Sequence, residues 1–260
     1  MSFDNPMRLN GYRLGCERYD VLQRGFNAKA LLASVSVMPS INIQADPLEN
    51  VSTIEDQGQI GSCVGNSGST VTEICYFLAT GRKIQLSRAA AYYLSQKADG
   101  IRGDNGATMS GFREAITGQG LPEEIYWPYV PRYNPTQPSS AEGKFLYKLR
   151  STSPITTIAD FDAWIEKGLP IHAGLPWNDS ADQDVVDSYN PDMRNSGGHA
   201  IAFWLKNGNN FRMLNSWGKQ WRGGQNVWTR RAIEIALRHR YATFIGFAPD
   251  DAEYPQPGVI

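Results

Sequence analysis

The chain is poor in the residues that build metal sites and disulfide frameworks, with three cysteines and three histidines in 260 residues. Cys16, Cys63 and Cys75 make an odd count, so at least one thiol stays outside any disulfide. There is no CxxC, and His172, His199 and His239 lie far apart without an HExxH pattern. No metal ligand set and no cofactor are therefore expected. No run approaches the ~18 consecutive apolar residues of a membrane span. The opening MSFDNPMRLNGYRLG lacks the uninterrupted apolar segment of a secretory signal, so a reducing setting, cytoplasmic or virion-associated, is the expectation. Net charge is only −1, which implies no polyelectrolyte attraction to nucleic acid or anionic lipid. The basic clusters Arg230-Arg231 and Arg238-His239-Arg240 read as the solvated face of a C-terminal helix. Internal repeats and low-complexity runs are also missing.

What remains is the composition of a globular protein of one or two domains, 41% hydrophobic and 20% charged. Residues 1 to about 45 are irregular and mixed, with a short helix expected near 27–33. From Cys63, CVGNSGSTVTEICYFLATG reads as a helix closed by Gly81. Val71, Ile74, Cys75 and Leu78 form its buried stripe, and Gly65, Ser67, Gly68 and Ser69 let other backbone approach closely. Ser87 can cap RAAAYYLSQK, and a further helix is expected over 109–117. The proline-rich stretch 122–140 reads as a surface crossing between two halves. Beyond it come a short amphipathic helix over 158–167 and strands over 170–174, 199–205, 211–214 and 226–229. Helices first and strands later argue for an α+β fold with two subdomains. Tyr92, Tyr93, Trp127, Trp204, Trp221 and His172 read as core, rim or pocket-wall residues.

A hydrolytic cysteine needs a thiolate, a base, a group that orients the base, and donors for the oxyanion. The thiolate is favoured where sulfur sits at a helix N-terminus, among N–H groups that carry partial positive charge. Cys63 occupies that position, directly after Gly61-Ser62, whereas Cys75 is a mid-helix thiol of the inert kind. Gln57 stands six residues before Cys63, in QGQIGSC. Downstream lie Gly197-Gly198-His199-Ala200-Ile201 and Leu214-Asn215-Ser216-Trp217-Gly218.

These motifs, in this order and spacing, resemble the papain-like cysteine peptidases, and the match runs from about Val51 to Thr229. The resemblance implies a helical left part and an antiparallel β-barrel-like right part with the active site in the cleft. The helical half is expected over about 46–125 and the β-rich half over about 140–250. Cys63 is the expected nucleophile, His199 the base and Asn215 the residue that fixes the ring tautomer. Gln57 and the backbone N–H of Cys63 are the expected oxyanion donors. Trp217 is implied to shield the Asn–His bond, and Gly106, Ala107, Gly198 and Trp217 to meet the substrate.

Three departures stand out. Ile60 replaces a frequent disulfide cysteine, Val64 an aromatic, and Ala107 the second of a glycine pair. The pattern is similar to bacterial or phage-type members that lack disulfides. Residues 1–45 are then an N-terminal extension, a prosegment or docking arm whose Leu31, Leu32, Val35, Val37, Met38 and Cys16 are suited to dock. A peptide or protein is the expected substrate. A cell-wall amide hydrolase or transamidase, and a catalytically idle component of a larger phage assembly, are the alternatives.

Overall fold

The computed structural model describes residues 8–9, 12–13, 16, 53–130, 132–149, 152–248 and 252–253. The helix expected near 27–33 and the docking residues from Leu31 to Met38 lie outside them. Two short strands, β1 (Arg8–Leu9) and β2 (Tyr12–Arg13), pair with each other near the start. Three helices follow: α1 (Cys63–Thr80), α2 (Arg88–Asp99) and α3 (Met109–Gly118).

Each helix end has a chemical cause. Gly81 closes α1 in the left-handed conformation, φ 68°, and its N–H donates to Phe77 O at 2.7 Å. Ser87 caps α2 by accepting from Ala90 N, and Thr108 caps α3 by accepting from Gly111 N. The small residues of α1 do what their size suggests. A Cβ on Gly65 would stand 2.7 Å from Tyr92 N of α2, and one on Gly68 would strike the Phe112 ring of α3.

The expected stripe of α1 is buried, but so are most of its polar residues. Most find partners within the helix or just beyond it, the Ser69 hydroxyl being without one among the described residues. Ser67, Thr70 and Thr72 hydroxyls donate to the carbonyls of Cys63, Asn66 and Gly68, and Glu73 accepts from Leu86 N. The crossing from 122 to 140 runs mainly along the surface, anchored by buried Trp127.

The second half carries β3 (Lys148–Leu149), β4 (Ser153–Pro154), α4 (Ile158–Glu166), β5 (Ile171–Trp177) and β6 (Val185–Val186). It continues with β7 (Gly197–Asn207), β8 (Asn210–Leu214), β9 (Gln225–Thr229), α5 (Arg230–Arg238), β10 (Thr243–Gly246) and β11 (Ala252–Glu253). Seven strands form one sheet in the order β4-β10-β5-β7-β8-β9-β6, antiparallel except for the β6–β9 pair. The fold is therefore α+β. Arg231, Arg238 and Arg240 are exposed, while Ala232, Ile233 and Ala236 face inward, so the basic cluster is the solvated face of α5.

Helix α1 packs on β5 and β7. Its Ser67 bonds His172 of β5 at 2.7 Å, so it lies on the face presented by His172 and Gly174. Their partners in register on β7 are Ala202 and Ala200, whose small side chains let the helix sit close. From α4, Phe161 packs edge-on to Phe203, Phe211 and Phe244 of the sheet, with ring centroids 4.9–5.9 Å apart.

Candidate active site

Cys63 is the first residue of α1 and is fully buried. The Ser62 side chain makes no capping bond to the helix, and the first turn holds no acidic residue. Ser62 Oγ instead meets the Tyr129 hydroxyl at 2.6 Å and accepts from Asn66 Nδ2. The first turn of α1 therefore sets no carboxylate of its own against the positive end of the helix dipole.

The loop before Cys63 is fixed from both halves of the chain. Gln57 N donates to Ser216 O at 2.8 Å, and Gly218 N donates to Glu55 O at 2.8 Å. Asp104 Oδ1 accepts from Gly61 N and from the Tyr92 hydroxyl, both at 2.9 Å. The Gln57 side chain is buried; its Nε2 donates to Ile60 O at 2.9 Å and its Oε1 accepts from Ser216 Oγ at 2.7 Å. Gln59 points to solvent.

His199, near the start of β7, is fully buried and lies 2.8 Å from Asn215 Oδ1 through Nε2. The same Oδ1 accepts from Ser216 N at 2.8 Å. Of the two ends of the Asn215 amide only the oxygen can accept from Ser216 N, which fixes the amide orientation, and Nε2 of His199 then carries the proton it donates to that oxygen. The neutral ring then holds its lone pair on Nδ1, which has no hydrogen-bond partner among the described residues. Burial lowers the His199 pKa to about 4, and the bond to Asn215 pulls the other way. Trp217 lies tilted against the imidazole with centroids 4.9 Å apart, and Trp177 meets it edge-on at 5.0 Å. Both indoles are fully buried, so the His–Asn bond is kept from water.

Gly106 and Gly198 stand on opposite walls of the cleft. Gly106 adopts φ 83°, its N–H donates to the Tyr92 hydroxyl and its C=O accepts from Gln96 Nε2. The neighbouring Ala107 pairs in parallel with Cys16, whose N–H donates across the cleft to Gly198 O at 2.9 Å. One residue of the N-terminal segment thus spans the two walls.

A family model described as papain family cysteine protease matches residues 39–239. The chain belongs to the papain family of cysteine proteases. It is a hydrolase of that family, and its substrates are peptides or proteins. Xylellain, a cysteine protease from Xylella fastidiosa, is similar in structure over 98% of this chain and 100% of its own, at 20% identity and a TM-score of 0.71. Digestive procathepsin L 3 of Tenebrio molitor superposes over 84% of this chain and 78% of its own, at 19% identity and a TM-score of 0.61. A Carica candamarcensis cysteine protease in complex with E-64 covers 78% of this chain and 95% of its own, at 17% identity and a TM-score of 0.61. No curated protein sequence matches the chain.

As a papain-family protein it carries none of its three cysteines in a disulfide. Ile60, three residues before Cys63, is buried. Trp177, Tyr129, Ser216 and Cys16 all touch the site or its supports, yet sequence motifs point to none of these contacts. Ser216 alone lay within a motif, next to Asn215.

Proposed function

We propose that the protein cleaves peptide bonds through a thioester formed on Cys63. His199 Nδ1 takes the thiol proton, and the sulfur attacks the scissile carbonyl carbon. The Gln57 amide and the Cys63 backbone N–H donate to the oxyanion. The imidazolium returns its proton to the leaving amine, and water, deprotonated by His199, then releases the acid and restores the thiol. Asn215 holds the ring in the one tautomer that leaves Nδ1 basic, the role an orienting residue plays in a Cys-His-Asn triad. The contact of His199 Nε2 with Asn215 Oδ1, an oxygen that also accepts from Ser216 N, supports that tautomer and is the observation that carries this reading.

Residues 1–45 are, in this proposal, an N-terminal docking extension, and the basis is the Cys16 crossing between Ala107 and Gly198. The decisive experiment is labelling with an epoxysuccinyl electrophile alongside hydrolysis of casein. Labelling and hydrolysis should both be lost in Cys63→Ala and both persist in Cys75→Ala. A Cys63→Ala protein that turns over casein at the wild-type rate would overturn the assignment.

A further inference from the structure

The Gln57 amide is held by a peptide unit that a second residue holds in turn. Its Nε2 carries two protons, one of which goes to Ile60 O at 2.9 Å. The other is the donor to the oxyanion in the mechanism proposed above. Ile60 O belongs to the peptide that Gly61 N completes, and a trans peptide points its C=O and N–H in opposite directions. On the far side, Gly61 N donates to Asp104 Oδ1 at 2.9 Å. The plane that aims the Gln57 amide is thus pinned at one end by Gln57 itself and at the other by Asp104.

Asp104 is itself firmly mounted. Its Oδ1 also accepts from the Tyr92 hydroxyl at 2.9 Å, and the Tyr92 oxygen accepts from Gly106 N at 3.0 Å. An ionised carboxylate only accepts, so the one Tyr92 proton goes to Asp104. Burial, and then the adjacent carboxylate, hold this phenol well above its ordinary pKa, so it stays a donor. Tyr92, Gln96 and Asp99 stand at i, i+4 and i+7 on α2, one stripe of the helix. Gln96 Nε2 donates to Gly103 O and Gly106 O at 2.8 and 2.9 Å. Asp99 accepts from Thr108 N and Thr108 Oγ1 at 2.8 and 2.7 Å. The loop that carries Asp104 is therefore fixed to α2 on both sides of it.

Resting on the peptidase reading above, we propose that Asp104 is a positioning residue for the reaction. Through the Ile60–Gly61 peptide it sets the direction in which Gln57 donates to the oxyanion. What this requires is an acceptor oxygen at the Oδ1 position, not a negative charge. Cys63 is held separately, as the first residue of α1, so the thiol keeps its place when Asp104 is lost.

The test uses the full chain and compares kcat on casein with alkylation of Cys63 by iodoacetamide, which needs the thiolate but no oxyanion donor. Asp104→Ala should lower kcat roughly tenfold or more, up to the roughly 10²–10³ of losing the donor outright. Alkylation should stay near the wild-type rate. Asp104→Asn, which keeps the acceptor oxygen, should return kcat toward wild type. In a Gln57→Ala background, Asp104→Ala should cost nothing further, because the donor it aims is gone. A further loss in that background, Asp104→Asn as slow as Asp104→Ala, or parallel losses of kcat and alkylation would overturn the positioning role and leave the peptidase intact. Where Asp104→Ala does not fold, Tyr92→Phe removes the hydroxyl that steadies Oδ1. It should lower kcat in the wild-type background and not beside Gln57→Ala; equal losses in both overturn the role. A wild-type chain that hydrolyses casein no faster than Cys63→Ala overturns the peptidase reading, and the role with it.

Discussion

Acid should destabilise this protein through a histidine that takes no part in the chemistry. His172 is fully buried between α1 and β5, with Ser67 Oγ at 2.7 Å and the rings of Phe112 and Phe247 at 5.2 and 6.1 Å. Burial lowers its pKa from 6.5 to about 3. The unfolded chain therefore binds the proton first. The stabilisation is complete above about pH 6.5 and is lost progressively as pH falls toward 3. At pH 5 the unfolded imidazole is almost wholly protonated and the folded one is not, which costs about 2 kcal/mol relative to pH 7. His199, lowered to about 4, adds a loss of similar size.

Glu55 works in the opposite direction, since burial raises its carboxyl against the pull of Arg88. Its contribution is common to wild type and variant, so a difference measurement removes it. Urea unfolding of wild type and His172→Gln at pH 7 and pH 5 isolates the one imidazole. The drop in unfolding free energy between the two pH values should be smaller in the variant by about 2 kcal/mol. Equal drops would mean that His172 is hydrated or paired in solution, and the argument from burial would fail.

Gln57→Ala should lower kcat by roughly 10²–10³, the cost of an oxyanion donor, while Gln59→Ala changes it little; equal effects would refute the loop register. Deleting residues 1–40 should speed labelling of Cys63. The same deletion hydrates the cleft, so the His199 pKa should rise from about 4 toward 6.5 and the acid limb of kcat/KM should move to higher pH. Unchanged labelling with lower thermal stability would reduce the segment to a structural wrap.

The parts of this molecule that the sequence discloses are those written in local chemistry. Ser87 and Gly81 mark their helix ends because a cap or a left-handed residue is a property of a few neighbouring positions. The QGQIGSC, GGHA and LNSWG motifs stand out because each chemical role demands a residue type at a fixed offset. Strand β10 is harder to read: Thr243–Gly246 is four residues long, carries no turn signal, and owes its place to pairing with β4 and β5. The stripe of α1 is buried as expected, but the burial of Asn66 and Thr72 is not legible, since a polar residue is expected on a wet face and here the helix is enclosed. Cys16 is the same case at long range. Nothing near it in the sequence reveals that Gly198 accepts its N–H.

On the proposed mechanism, the position of β10 also bears on when the protein becomes active. Its slot lies between β4 and β5, and β5 in turn flanks the strand that carries His199. A chain emerging from the ribosome cannot fill that slot until residue 246 is out, some 47 residues after the histidine. Until then β5 has an open edge, and the sheet that holds the imidazole is incomplete. Non-local pairing of this kind is slow to form. On the proposed mechanism, synthesis itself thus delays a working Cys63 until β10 has been translated.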